Sequence, residues 1–168
     1  MEANLSTTWL RRLMILAALL IGLLSGGNFD RSTVAMPAWE MLGPAAWADF
    51  SRQADLGNGR AVYPILAFAG TLACCGASLV FLLAGRSQRK SGPPILGSAI
   101  AMVASIPASL KAAPYMLSLA DTPDNDLHAL RTAFSGFEFW GRWQGILHIC
   151  AFLLALIAIA ALGVEQNH

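Results

Sequence analysis

The stretch 61–85 runs without a single charged residue. A helix crosses the hydrocarbon core of a bilayer with about 20 apolar residues, and in lipid each backbone N–H and C=O must be satisfied inside the segment itself. A run of this length and composition therefore has one stable form, a membrane-spanning helix. Runs of the same character are expected at about 9–29, 95–117 and 142–164. Only 12% of the residues are charged and the mean hydropathy is +0.56, where a soluble domain carries about a quarter charged residues. The acids and bases also cluster between the runs. The expected architecture is all-α, an integral membrane up-down four-helix bundle, with 1–168 as a single four-span domain. A net charge of +1 gives no reason to invoke nucleic acid.

The first run follows Arg11 and Arg12 and has the length of a signal-peptide core. However, Ser25-Gly26-Gly27 before Asn28 offers no A-x-A cleavage pattern, so the run is expected to remain as a span. Gly22 and Gly26 form a G-x-x-x-G pair that lets another helix approach closely, and Ala67, Gly70, Cys74 and Ser78 give the second span a small-residue side. Pro37 should break or kink the helix that precedes it. Pro44 then opens a short amphipathic helix that Gly57 should end, with Trp47, Phe50 and Ala54 on its apolar side and Asp49, Arg52 and Asp55 towards solvent. In the third span Ser98, Ser105 and Ser109 lie along one side, and Pro107 and Pro114 should kink it. A second short amphipathic helix is expected in the connection before span four, with Thr122 as its N-cap. There Leu127, Leu130 and Phe134 make the apolar stripe, and Asp124, His128 and Arg131 a polar stripe of ordinary surface pairing.

Arg11, Arg12, Arg86, Arg89 and Lys90 all flank the spans on one side. The bias of basic residues in short loops makes that side cytoplasmic, with both termini inside, as in a bacterial inner-membrane protein. Cys74 and Cys75 are adjacent and Cys150 stands alone, so there is neither a disulfide framework nor a redox pair.

Span four carries the residues most out of keeping with lipid. Trp140, Gln144 and His148 recur at i, i+4 and i+8 and so share a helix face. A histidine inside an apolar span is expected to face protein or trapped water. The outer half of the bundle also collects Asn28, Asp30, Arg31, Arg60, Tyr63, Lys111 and Tyr115. Bundle cores are frequent ligand sites, and aromatic walls with a few polar groups suit a flat hydrophobic small molecule. His148 has two readings, a hydrogen-bonded structural residue or a base and hydrogen-bonder for substrate. A haem-binding bundle supplies two axial ligands, and His128 lies in a connection and His168 at the terminus. Haem is thus the weaker alternative, no metal site is expected for want of ligand spacing, and no cofactor is predicted. No nucleophile elbow or phosphate loop is present. The competing functional class is a non-catalytic membrane subunit, or a small-molecule or haem-binding protein of a larger complex. It would pack against a second copy or a membrane partner.

The order of elements, with Met36-Pro37-Ala38 after span one, a proline-containing span three and Trp-Gly-Arg-Trp-Gln at 140–144 opening span four, resembles the anthrone-oxygenase-like family of small four-helix membrane proteins. Members often carry Asn-x-Pro-x-Asn in span three and W-x-x-x-N-x-x-x-R in span four. Here Ser105 and Ser109 flank Pro107, and Gln144 and His148 follow Trp140. The resemblance implies oxidation of an anthrone-like or quinol-like aromatic by oxygen without a cofactor. In that scheme His148 is the base, Gln144 and Ser105 are hydrogen-bond partners, Trp140 and Trp143 are walls, and Asn28 and Asp30 line the substrate site.

Overall fold

The computed structural model describes residues 2–84 and 90–165, with side chains from residue 7 onward. Arg86, Arg89 and His168 lie outside the described residues. Four helical stretches are long and apolar enough to cross a bilayer: Thr7–Leu42, Pro44–Ala84, Gly92–Ala120 and Leu127–Glu165. The chain is an all-α four-helix bundle, and by length and composition its helices are those of an integral membrane protein.

Each stretch outruns the apolar core that announced it. Helix α1 (Glu2–Asp30) passes through a π-helical segment, Arg31–Ala35, into α2 (Met36–Leu42). Pro37 does not end the helix. It stands in the first turn of α2, where its missing N–H costs least, and the wider π turn before it accommodates the ring. The stop comes at Gly43, whose φ of +95° suits glycine and whose N–H donates to the Trp39 carbonyl at 2.8 Å. Pro44 then starts α3 (Pro44–Gln53). A π-helical segment, Ala54–Gly59, leads on to α4 (Arg60–Ala84) and is broken at Gly57 (φ −79°, ψ −116°), the residue expected to end the amphipathic helix.

Helix α5 (Gly92–Leu117) keeps Pro107 and Pro114 inside it and closes with a 3-10 turn, Ser118–Ala120. The second connecting helix starts later than Thr122. The Thr122 hydroxyl donates back to the Ser118 carbonyl at 2.8 Å, and the Asp126 carboxylate accepts from the Ala129 N–H at 3.0 Å as the actual cap. From there α6 (Leu127–Glu165) runs unbroken through the fourth span. No proline interrupts it, so the drop in hydropathy near its start changes its surroundings and not its backbone.

The chain divides into two compact units, to each of which all four stretches contribute. The first comprises Met1–Ser25, Leu66–Ala104 and Leu147–His168. Its core is made of small side chains interleaved with a few large ones. Ala17, Ile21, Ala73, Cys74, Met102 and Ala151 form one buried cluster, and Leu10, Met14, Ala77, Ile95, Ala155 and Leu162 another. Close approach is visible at Gly70, where an added Cβ would stand 3.2 Å from Ile21, and at Gly22, 3.0 Å from Phe152. Gly26, its partner in the G-x-x-x-G pair, faces open space. Leu19, Leu23, Phe68, Leu72, Ile100, Leu153 and Ile157 are exposed on the same segments. In water such a patch would drive aggregation; against hydrocarbon it is the solvated surface.

The second unit comprises Gly26–Ile65 and Ser105–Ile146. Met36, Trp39, Trp47, Ala48, Met116, Leu119, Leu130 and Ala133 form its core.

A candidate ligand groove in the second unit

Along α6, His128, Arg131, Thr132, Ser135, Gly136, Phe139 and Trp140 follow one another at steps of three, one, three, one, three and one. That spacing keeps them on a single helix face. Together with Tyr115 from α5 they line a groove of about 540 Å³. Its width depends on Gly136, because a methyl group there would overlap the Tyr115 ring. The groove is graded along its length. His128, Arg131, Thr132 and Ser135 make one end polar. Phe139 and Trp140, set edge to face with centroids 5.1 Å apart, make the other aromatic. Lys111 places its ammonium 4.4 Å from the centre of the Trp140 ring, a cation–π contact. The Thr132 hydroxyl donates to the His128 carbonyl at 3.0 Å.

A second polar cluster is buried in the same unit. Arg31 and Asp55 form an ion pair whose side chains are 21% and 6% exposed. The guanidinium also lies over the rings of Phe137 and Tyr63, 5.4 and 5.9 Å from their centres. Asp55 was expected on a solvated face with Asp49 and Arg52, and the structure corrects that. The buried side of α3 and its π-helical continuation follows Trp47, Ser51 and Asp55, while Phe50 is half exposed. Among the described residues, Trp47 Nε1, Ser51 Oγ and Asp55 Oδ2 on this side have no hydrogen-bond partner. Trp47 packs edge to face on Phe134 at 5.3 Å and beside Phe137 at 5.9 Å. Arg52 is a clamp. It donates to the carbonyls of Leu119 and Thr122 at 2.9 and 2.5 Å and pairs with Asp124 at 2.5 Å, tying α3 to the connection before α6.

The residues singled out from the sequence are scattered over these features. Trp140 lines the groove. Gln144 is half-buried and Ser105 buried in the second unit, and Trp143 is exposed. Asn28 packs beside Gly145, where an added Cβ would stand 3.4 Å from its own, and Asp30 is exposed. His148 is fully enclosed within the first unit. The histidine open to a groove is His128, which the sequence placed on a stripe of surface pairing. Asp124 of that stripe pairs with Arg52, not with His128 or Arg131. The signal for the groove was present in the spacing 128–140, and the signal for the buried face of α3 in 47, 51 and 55. No set of three or more His, Cys, Asp and Glu side chains among the described residues is arranged to hold a metal ion.

No protein-family model matches the chain, and neither a curated protein nor a solved structure matches it. Fold and groove together define a class: a four-helix integral membrane protein with a half-polar, half-aromatic groove along its fourth long helix.

Proposed function

We propose that the protein binds a small, flat, largely apolar molecule of anthrone or quinol type in the α6 groove. The observation that carries this is the groove of about 540 Å³, to whose lining Tyr115, Phe139 and Trp140 contribute three aromatic rings. The groove is open along its length, and like small-molecule sites it combines apolar walls with a few polar groups. The basic flanks at Arg11, Arg12 and Lys90 favour an orientation with both termini cytoplasmic, as in a bacterial inner membrane, and hence a groove on the outer side.

The oxidation implied by the family resemblance would take place on this molecule. An anthrone CH₂ and one O₂ would give the quinone C=O and one water, after a base removes an acidic C–H proton. His128 is the imidazole that lines the groove, so it takes the base role first assigned to His148.

The test is a titration of purified protein with the fluorescent naphthylamine N-phenyl-1-naphthylamine, alongside oxygen uptake with anthrone. Trp140→Ala should weaken probe binding about tenfold, the scale of one lost aromatic contact at a binding centre. Trp143→Ala, outside the groove, should not change it. Equal loss in both variants would reject the site. Oxygen uptake undiminished in His128→Ala would reject the assigned base.

A further inference from the structure

We propose that the ligand of this groove carries an anionic head, held by Arg131 beside His128, with its flat body lying along α6 towards Phe139 and Trp140. The inference rests on the groove being a ligand site and names the class of ligand it takes.

Charge is the first reason. In the second unit Arg31 pairs with Asp55, Arg52 with Asp49 and Asp124, and Arg142 with Glu138. Arg131 has no carboxylate within ion-pair distance among the described residues. The acids closest to it in sequence are already engaged, Asp126 on the Ala129 N–H and Glu138 on Arg142. The groove therefore presents a guanidinium without a counter-charge, and a guanidinium fork matches a carboxylate, sulfonate or phenolate oxygen.

The grading of the groove is the second reason. Polar side chains occupy 128–135 and aromatic ones 139–140, so a ligand lying along the helix meets the cation at one end and the rings at the other. From His128 to Trp140 the helix rises about 18 Å, the length of one elongated small molecule. At about 540 Å³ the groove matches a drug-sized acid more closely than a two-tailed phospholipid.

The experiment compares two probes that share a phenylnaphthylamine body, the neutral N-phenyl-1-naphthylamine and the anionic 8-anilinonaphthalene-1-sulfonate. Both are titrated into the full-length protein in nanodiscs of zwitterionic lipid. Energy transfer from Trp140 is read against Trp140→Phe to remove partitioned background. The sulfonate should bind about fivefold more tightly than the neutral probe, as expected for one solvent-accessible ion pair. Arg131→Gln should abolish that difference by weakening the sulfonate more than the neutral probe, and Arg131→Lys should retain most of it.

Equal affinities in the wild type, or an Arg131→Gln effect shared by both probes, would overturn the anionic head while leaving the groove reading intact. Transfer from neither probe that saturates would overturn both. Displacement of the sulfonate by short-chain phosphatidylglycerol, with free aromatic acids failing to compete, would assign the site to a lipid headgroup and overturn the proposal.

Discussion

Asp55→Ala should lower stability by about 3 kcal/mol, the lower end of the cost of stranding one partner of a buried ion pair. Asp55 is almost wholly enclosed, and the Arg31 guanidinium it leaves behind is about one-fifth exposed and pressed against Phe137 and Tyr63. Desolvation of that charge is then uncompensated. Water reaches it only from its exposed edge, hence the lower end of the range. The double variant Arg31→Met/Asp55→Leu should cost less than Asp55→Ala alone, because two apolar side chains remove the charge and its desolvation together. The measurement is the unfolding midpoint of the purified protein in detergent, by heat or denaturant. A midpoint for Asp55→Ala equal to wild type would mean that the pair does not hold the second unit together.

Gly136→Ala should cost about 1 kcal/mol and weaken probe binding in the groove. Two effects oppose each other. Alanine is favoured over glycine in a helix interior by about 1 kcal/mol. Overpacking a filled contact costs about 1–3 kcal/mol. The overlap is with an aromatic ring and not with the tip of a flexible side chain, so Tyr115 must swing as a unit. Packing therefore wins, and the same swing moves one wall of the groove. If Gly136→Ala were stabilised and bound the neutral naphthylamine like wild type, Tyr115 would not form that wall.

Much of the bundle was legible because lipid leaves the backbone few options. The uncharged run 61–85 and the small-residue side Ala67, Gly70, Cys74 and Ser78 announced the second span and its packing face; the last three are buried and Ala67 partly so. The departures come from places where tertiary context overrode a local signal. Pro37 reads as a break or a kink; it is no break, because a π-helical segment upstream lets α1 pass into α2. The connection reads as a separate short helix opened by Thr122-Pro123-Asp124, with Leu127, Leu130 and Phe134 as its apolar stripe. Nothing after Leu127 interrupts the backbone, and α6 continues.

Asp55 was misplaced for a different reason. Its partner Arg31 is distant in sequence, and the period through Trp47, Phe50 and Ala54 pointed it towards solvent. Trp140 stands out in the sequence on one face with Gln144 and His148, and of those three it alone lines the groove. His128 and Arg131 were discounted because surface pairing is the commoner fate of such a stripe. The engagement of Asp124 by Arg52 removed that fate.

A flat apolar molecule lying on one face of α6 can be located by photolabelling. A photoreactive naphthalene probe is irradiated with the protein in nanodiscs, and the labelled peptides are mapped by mass spectrometry. Saturable labelling is expected at Tyr115 and within 128–140, lost when unlabelled N-phenyl-1-naphthylamine is in excess. Labelling spread over the exposed apolar side chains of the first unit, such as Leu19, Phe68 and Leu153, and indifferent to competitor, would contradict it.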